Sequence, residues 1–474
     1  MAHTVPSKFH SIVIGSGQGG TPLTQAIAAA GHKVALVESS HIGGCCINEG
    51  CTPTKTMVAS ARVAYLARRA ADYGVHTGSS TGAEASVKVD MKRVRERKRN
   101  IVNSFRGGSE GRLEKAENVT LLRGKAAFTG PKTLKVTPTE AGSELASIEA
   151  DHIFINVGCH PAPLTIPVAD GITVLDSTSV MELDTVPEHL VVLGGGYVGL
   201  EFAQMFKRFG ARVTVVQRAK QLLGREDEDV ADAVRSILEE DGLDVMLGTT
   251  AQRIDKEPDG RLKIAVAQSG QTKTIAASHV LAAAGRLPNT SDLGLEEAGI
   301  KTFGAGFVLA DQKLRTSIEG VYAMGDVKGG PAFTHISYDD FRILKTNVLE
   351  NGDASIAGRQ VPYTVFIDPQ LGRIGVTETE ARGSEQSILV SKMPMSWAAR
   401  ALEMDESRGL MKVIVNKESE KILGCAILGI EGGEVMSMIQ IAMQAGMSYR
   451  QLRDGVFAHP GLAESLNNLF GYLE

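Results

Sequence analysis

Residues 9–38, FHSIVIGSGQGGTPLTQAIAAAGHKVALVE, hold the pattern that decides the fold of this chain. A short apolar run is followed by a glycine-rich turn, a helix-like segment and a second apolar run that ends at Glu38. The glycines with the G-x-G-x-x-G spacing are Gly15, Gly17 and Gly20. Such glycines let the backbone approach a pyrophosphate at a helix N-terminus, and a carboxylate after the second strand can accept ribose hydroxyls. The stretch therefore predicts a dinucleotide-binding βαβ unit with Glu38 at the ribose.

The same unit recurs at an offset of 179 residues, where residues 191–216 read VVLGGGYVGLEFAQMFKRFGARVTVV. Its fingerprint glycines are Gly194, Gly196 and Gly199. Internal repetition of this kind predicts two dinucleotide sites in one chain. Gln217 takes the place of Glu38, and Arg218 and Lys220 follow it. Loss of the carboxylate and gain of cations suits a ribose 2′-phosphate, which favours NADPH over NADH, unless both cations are ordinary surface charges.

A second signature follows the first unit, because residues 43–55 read GGCCINEGCTPTK. Pro53 suits the first turn of a helix, so Cys51 is expected at a helix N-terminus, where the helix dipole and Lys55 favour a thiolate. Cys46 lies within disulfide reach of it. The alternatives are a metal clip or two buried cysteines, but no second cluster of Cys or His at ligand spacing follows. The two cysteines are therefore predicted to form a redox pair.

The chain has 474 residues, 43% apolar side chains, a net charge of −5 and five cysteines. This size suits about three globular domains. The slightly acidic balance argues against nucleic-acid or membrane partners, and the basic run at residues 92–99 is interpreted as a solvated helix face. No apolar run reaches the ~20 residues of a membrane span, and the N-terminus lacks a signal-peptide pattern. We therefore expect a cytoplasmic protein, in which a disulfide is catalytic rather than structural.

The order of predicted elements gives a domain plan. We expect an α/β fold with two Rossmann-like dinucleotide-binding domains and a C-terminal α+β domain. The predicted segments are 1–157 for the first dinucleotide domain, 158–285 for the second, 286–350 for a return to the first, and 351–474 for the C-terminal domain.

These motifs together resemble the class I FAD-dependent pyridine nucleotide–disulfide oxidoreductases. The resemblance is carried by GGCCINEGCTPTK, the two fingerprints, AGRLPN at residues 284–289 and VYAMGDV at residues 321–327. That family includes glutathione reductase, dihydrolipoamide dehydrogenase and mercuric reductase, and the match spans essentially the whole chain. Residues 50–75 and 399–413 are most similar to mercuric reductase-like members. The resemblance implies FAD on the first unit, NADPH on the second, and a homodimer formed by the C-terminal domain.

The resemblance also implies roles for individual residues. FAD would contact Gly15, Gly17, Gly20, Glu38, Gly44, Lys55, Arg286 and Asp326. The pyridine nucleotide would contact Gly194, Gly196, Tyr197, Gly199, Gln217 and Arg218. Lys55 and Glu201 match a pair that lies near the flavin in the family. Cys51 matches the flavin-side thiol and Cys46 the interchange thiol. His459 matches the base that reaches the partner subunit's cysteines, and Glu464 the carboxylate that orients it.

The last segment departs from the mercuric branch of the family. Mercuric reductases typically lack the histidine and end in a Cys-Cys tail, whereas this chain keeps His459 and has no cysteine after Cys425. The leading interpretation is therefore an NADPH-dependent reductase of a small-molecule or protein disulfide. The alternatives are reduction of Hg(II) or another soft metal ion at Cys46 and Cys51, dihydrolipoamide dehydrogenase activity, and a redox-sensing flavoprotein without turnover.

Cys45 is a second departure, because the family usually has Thr there. It is either a third thiol for redox or soft-metal chemistry or a small residue with a structural role. Cys159 and Cys425 are interpreted as inert.

Overall fold

The computed structural model describes residues 8–76, 87–139 and 146–473. Residues 1–7, on which the expectation of no signal peptide rests, lie outside this range. The chain divides into two compact units, each built from three separated stretches. Unit 1 comprises Met1–Thr56, Glu96–Ala162 and Gly285–Arg359, and unit 2 comprises Met57–Arg95, Pro163–Ala284 and Gln360–Glu474.

The described residues form both strands and helices, with runs of consecutive strands at residues 119–193 and 244–323. The strands are β1 Lys8–Ile14, β2 Val34–Glu38, β3 Val119–Gly130, β4 Thr133–Pro138, β5 Ala146–Ile155, β6 Cys159–Pro161, β7 His189–Leu193, β8 Arg212–Val216, β9 Asp244–Met246, β10 Thr249–Lys256, β11 Leu262–Gln268, β12 Gln271–Ala277, β13 His279–Ala282, β14 Arg286–Pro288, β15 Thr302–Phe303, β16 Phe307–Val308, β17 Val321–Ala323, β18 Tyr363–Val365, β19 Gln370–Gly375, β20 Ile388–Pro394, β21 Leu410–Asn416 and β22 Ile422–Gly429. The α-helices are α1 Gly20–Ala29, α2 Gly44–Asn48, α3 Cys51–Arg68, α4 Met91–Glu114, α5 Tyr197–Phe209, α6 Glu228–Glu240, α7 Thr334–Leu349, α8 Glu378–Gly383, α9 Ala399–Glu403, α10 Gly432–Gln444, α11 Tyr449–Arg453 and α12 Ser465–Gly471. Short 3-10 helices lie at Ala70–Tyr73, Ser179–Glu182, Gly325–Lys328, Met395–Trp397 and Leu462–Glu464.

Unit 1 is organised around a six-stranded sheet in which β2, β1, β5 and β17 lie side by side and parallel. β3 continues the parallel set beside β2 and then pairs antiparallel with β4. β2 is apolar up to Glu38 and the end of β1 is apolar and buried, as expected of parallel strands in a sheet that is covered on both faces. One face packs against α1 and α7 through Leu23 and Leu344, which are fully buried. Parallel strands of this kind bind ligands at their carboxyl ends, where the glycine turn after β1 and the turn after β17 lie.

Unit 2 contains the second dinucleotide fold, a parallel sheet in the order β13-β7-β8-β9 with α5 after β7. An antiparallel sheet of β10, β11 and β12 is inserted before β13. The insertion is not predicted from the sequence, because β10 and β12 are largely polar and exposed and only β11 alternates large apolar residues with small or polar ones.

The C-terminal part of unit 2 is a five-stranded antiparallel sheet in the order β18-β19-β22-β21-β20. No strand is predicted from the sequence at β19, because its segment QLGRIG contains two glycines. Met393, Met411 and Met436 are buried in the core beside this sheet. Strands followed by helices here, and two parallel dinucleotide folds before them, confirm the predicted fold class. The predicted domain boundaries stay a prediction.

The long helix predicted near residues 89–116 is α4, and it carries the basic run at residues 92–99. Most of that run is exposed, as expected of a solvated face. Lys98 is the exception, because its side chain is buried. The interpretation of the whole run as solvated is therefore wrong at this position.

A buried ion cluster in unit 2 is centred on Lys412 of β21, which is 3% exposed. Its ammonium lies 3.1 Å from Asp227, 3.0 Å from Asp229 and 2.8 Å from Glu378. Asp227 also accepts hydrogen bonds from the Thr379 backbone and hydroxyl. The cluster therefore ties the start of α6 and the start of α8 to the C-terminal sheet.

Candidate functional site

The first glycine turn is held in place by close backbone packing. A Cβ at Gly20 would lie 2.1 Å from the carbonyl oxygen of Gly15, so only glycine permits this approach. A Cβ at Gly44 would lie 2.6 Å from the Cα of Gly17, so the cysteine loop packs directly on the fingerprint. The predicted FAD residues of the two motifs therefore meet in one place.

Glu38 closes the same turn from the end of β2. Its carboxylate is buried and accepts hydrogen bonds from the Ser16 amide at 2.9 Å, the Ser16 hydroxyl at 2.6 Å and the Ser40 amide at 2.8 Å. An ionised carboxylate has about four acceptor positions, so it retains capacity for a ribose hydroxyl. This donor and acceptor set, with the glycine cradle, fits the dinucleotide that the fold implies.

The second glycine turn repeats the arrangement with an amide in place of the acid. The Gly195 amide donates to the Gln217 side-chain oxygen at 3.1 Å, in the position where the Ser16 amide meets Glu38. The Gln217 amide nitrogen donates to the Gln221 carbonyl at 3.2 Å. A Cβ at Gly196 would meet no atom within 4 Å, so this turn is open on the side where a pyrophosphate can approach.

The two cations after Gln217 lie at the end of β8. Arg218 and Lys220 are both exposed. In the described part of the chain neither forms an ion pair with a carboxylate. Their charges therefore remain available to an anion at this end of the sheet.

The two predicted redox cysteines lie on consecutive helices of unit 1. Cys46 is in α2, and Cys51 is the first residue of α3, as the Pro53 signal predicts. All five cysteines are described and none is in a disulfide. A hydrogen bond to Cys51, with burial as the second cause, raises the pKa of the Cys46 thiol well above its usual value. The Cys46 and Cys51 thiols are therefore hydrogen-bonded to each other, and this bond favours the protonated form of Cys46.

Thr334, the first residue of α7, completes this cluster. Its hydroxyl lies 3.3 Å from the Cys51 sulfur. The sequence analysis misses it, because it lies 283 positions away and no local pattern marks it.

Cys45 lies beside different partners from those of Cys46. The Arg286 guanidinium lies 3.5 Å from its sulfur and also donates to the Cys159 carbonyl. Cys45 is exposed to solvent, yet the protein atoms around its sulfur disfavour the thiolate. This desolvation raises the pKa of Cys45 more than the Arg286 charge lowers it. The Cys159 thiol donates to the Asp326 carbonyl at 3.6 Å, and burial raises its pKa to about 12. Both thiols are thus placed with the predicted FAD residues Arg286 and Asp326.

The turn that carries Asp326 is anchored from α7. Burial raises the pKa of Asp326, although Arg286 and Lys328 oppose the shift. The Gly325 amide donates to Asp340 at 2.8 Å. Asp340 is fully buried and also pairs with Lys328 at 3.3 Å and with Arg359 at 2.7 Å. Asp340 is a second residue that the sequence analysis misses.

The remaining predicted residues lie as follows. Lys55 is half-buried on α3. Glu201 is buried on α5, where its carboxylate accepts from the Phe366 amide at 2.8 Å. Tyr197 is the first residue of α5 and is 38% exposed. The proposed pairing of Lys55 with Glu201 stays a prediction.

His459 and Glu464 meet near the C-terminus. The His459 Nδ1 atom lies 2.9 Å from the Glu464 carboxylate, and the imidazole is 71% exposed. A carboxylate acceptor places the proton on Nδ1, which leaves Nε2 as the acceptor. The pair is therefore oriented as a base that faces away from its own fold.

Comparison with protein families identifies the class. Residues 9–340 match the pyridine nucleotide-disulphide oxidoreductase family, and residues 361–470 match the dimerisation domain of that family. The chain belongs to this family, and it is a FAD-dependent disulfide oxidoreductase with a C-terminal dimerisation domain.

Individual relatives cover nearly the whole chain. The probable pyridine nucleotide-disulfide oxidoreductase RclA of Escherichia coli strain K12 is 37% identical over 99% of this chain and 100% of its own. A solved structure described as a Cu(II) complex of the HOCl-induced flavoprotein disulfide reductase RclA has a TM-score of 0.89 and 35% identity, covering 99% of this chain and 100% of that one. A dihydrolipoyl dehydrogenase of Thermus scotoductus is 34% identical over 97% of this chain and 96% of its own. A mercuric reductase of Staphylococcus aureus is 34% identical over 97% of this chain and 81% of its own.

Two further properties bear on partners. Among the described residues, no helix has the length and apolar character needed to span a membrane. No cluster of three or more His, Cys, Asp or Glu in the same residues is arranged to hold a metal ion.

Proposed function

We propose that this enzyme uses NADPH to reduce a small-molecule or protein disulfide, with Cys46 as the thiol that attacks the substrate. His459 acts as the base in the site of the partner subunit of a homodimer. The observation that carries the proposal is the His459–Glu464 pair, with Nδ1 bonded at 2.9 Å and the ring exposed. A histidine so oriented can take a proton at Nε2 from a thiol presented by another chain.

The cofactor residues follow from the two glycine turns. Gly15, Gly17, Gly20, Glu38, Gly44, Lys55, Arg286 and Asp326 would hold FAD, and Gly194, Gly196, Tyr197, Gly199, Gln217 and Arg218 would hold NADPH. Bound FAD supplies the transfer of two electrons between the nicotinamide and the cysteine disulfide.

The thiol chemistry needs a base because the pKa of Cys46 is raised by its bond to Cys51. His459 takes the Cys46 proton, and the thiolate attacks one sulfur of the substrate disulfide. A mixed disulfide forms, and the departing thiolate takes the proton back from His459. Cys51 then attacks the Cys46 sulfur, which releases the second thiol and forms the Cys46–Cys51 disulfide. Glu464 keeps the imidazole in the productive tautomer throughout.

His459→Ala tests this assignment, with His76→Ala as the control because His76 is also an exposed histidine and lies in a separate stretch of unit 2. NADPH consumption would be measured with a panel of disulfides. We expect kcat/KM to fall about 10²–10⁴-fold for His459→Ala, the usual contribution of a general base. Reduction of the enzyme by NADPH alone should be unchanged. Full disulfide turnover in His459→Ala would contradict the base assignment.

A second candidate substrate is a soft metal ion such as Cu(II) or Hg(II) at Cys46 and Cys51. It is favoured by two neighbouring thiols at an exposed position and by the likeness to RclA, solved as a Cu(II) complex, and to mercuric reductase. Reduction of a bound ion releases no thiolate that must be protonated. Cys46 must still lose its proton to bind the ion, so His459→Ala should lower metal-stimulated NADPH oxidation, but much less than it lowers disulfide turnover. NADPH oxidation with metal ions but with no disulfide would make the metal ion the substrate.

A further inference from the structure

The sulfur of Cys51 lies where two helices begin. Cys51 is the first residue of α3, and Thr334 is the first residue of α7. The Thr334 hydroxyl is 3.3 Å from the Cys51 sulfur, across 283 positions of sequence, and both residues belong to unit 1. Helix N-termini carry a partial positive charge that favours an anion, and a hydroxyl can rotate to donate toward one.

We infer that Thr334 is a further catalytic residue, whose hydroxyl donates a hydrogen bond to the Cys51 thiolate. This inference rests on the proposed role of Cys51 as the flavin-side thiol. Cys51 must carry negative charge when its sulfur attacks the mixed disulfide between Cys46 and the substrate. A donor that is already in place favours this charge without any rearrangement at the moment of reaction.

The surroundings of Cys51 explain why such a donor matters. The hydrogen bond between Cys46 and Cys51 favours the protonated pair, and burial acts in the same direction on the pKa of Cys46. Thr334 acts against both, because its hydroxyl lowers the pKa of Cys46 as well. The other titratable groups of the cysteine loop and α3 are Cys45, Cys46, Glu49, Lys55, Arg62, Tyr65 and Arg68, and those of α7 are His335, Tyr338, Asp339, Asp340, Arg342 and Lys345. None of them is altered by a substitution at Thr334.

The test compares Thr334→Val, which keeps the shape and removes the hydroxyl, with Thr334→Ser, which keeps the hydroxyl. Thr346→Val is the matched control, since Thr346 is a half-buried threonine on the same helix, about 18 Å farther along at 1.5 Å per residue. Each holoenzyme would be reduced and freed of reductant without oxygen. The rate of alkylation by iodoacetamide would then be followed from pH 5 to 10, with each cysteine resolved by peptide mass.

We expect the midpoint of the Cys51 profile to rise by about one pH unit in Thr334→Val, the size expected when one hydrogen bond to a charged group at an exposed site is lost. Thr334→Ser should restore the midpoint, and Thr346→Val should not move it. Disulfide turnover should fall roughly tenfold in Thr334→Val and recover in Thr334→Ser.

An unchanged Cys51 midpoint in Thr334→Val would overturn the inference, and so would a Thr334→Ser variant that behaves like Thr334→Val. If the valine variant does not fold, Thr334→Ala takes its place with the same expected result. The alkylation profile needs no substrate, so it stands apart from the proposed function. If the wild-type enzyme reduced no disulfide, the proposed function would be wrong. The alkylation profile would still decide whether Thr334 stabilises the Cys51 thiolate.

Discussion

Gln217→Glu is the sharpest test of nucleotide preference, because the chain itself contains both versions of this position. The Gly195 amide donates to the Gln217 side-chain oxygen at 3.1 Å, and the Ser16 amide donates to Glu38 at 2.9 Å. A glutamate at 217 can therefore keep the bond that closes the turn. It would lose the 3.2 Å bond to the Gln221 carbonyl, a cost that falls equally on NADPH and NADH.

The size of the effect follows from the charges at this edge. Two unit charges about 4 Å apart in water interact by about 1 kcal/mol, and a 2′-phosphate carries about two negative charges. The new carboxylate should therefore weaken the binding of NADPH by about 2 kcal/mol, or roughly 30-fold. The carboxylate should strengthen the binding of NADH by about 1 kcal/mol through a hydrogen bond from the free ribose 2′-hydroxyl. The ratio of kcat/KM for NADPH over NADH should fall by about 10²-fold.

The assay is the kcat/KM of each nucleotide at fixed disulfide concentration. Gln268→Glu is the control, because Gln268 is also half-buried and donates its amide to a backbone carbonyl at 3.2 Å in the same unit. Salt should reduce the NADPH preference of the wild type, since Arg218 and Lys220 are exposed and their charges are screened. A ratio that shifts no more in Gln217→Glu than in Gln268→Glu would refute the reasoning.

Two further substitutions probe the supports of the fold and of the flavin site. Lys412→Met removes a cation shared by three carboxylates and should lower the free energy of unfolding by about 2–4 kcal/mol at pH 7. Unfolding in urea would be monitored by the fluorescence of Trp397. Burial opposes ionisation of Asp227, but hydrogen bonds from Thr379, Glu378 and Lys412 hold its pKa at about 2. The stabilisation that Lys412 contributes is therefore present at neutral pH and lost as the pH falls from about 4 to 2. The difference between variant and wild type should shrink over that range; a constant difference would contradict the ion cluster as its source. Asp340→Asn should weaken retention of FAD by about tenfold, measured from flavin absorbance after dialysis, while Asp339→Asn should not, and equal retention would exclude Asp340 as an anchor.

The sequence predicts the parts of the site that are local. Each glycine turn, its strand and the residue at position 38 or 217 lie within about 25 residues, so one βαβ pattern reveals them. The start of α3 at Cys51 also follows from a local signal, Pro53. Thr334 and Asp340 could not be found in this way, because α7 comes to the cysteine loop and to the Asp326 turn only through the tertiary fold. The insertion of β10 to β12 escapes for a different reason, since β10 and β12 are largely polar and exposed, although Ile254, Ile264 and Val266 pack into a buried cluster with Val191 of β7.

The position of Cys45 bears on which substrate the cysteine loop can serve. Cys45 and Cys46 are consecutive residues of α2, and consecutive residues of a helix point about 100° apart. The two cysteines also have different contacts. Cys46 is hydrogen-bonded to Cys51, whereas Cys45 contacts Arg286, one of the predicted flavin residues. We therefore expect a soft metal ion or a disulfide to meet Cys46 and Cys51 first, and His459 remains the feature that separates disulfide from metal chemistry.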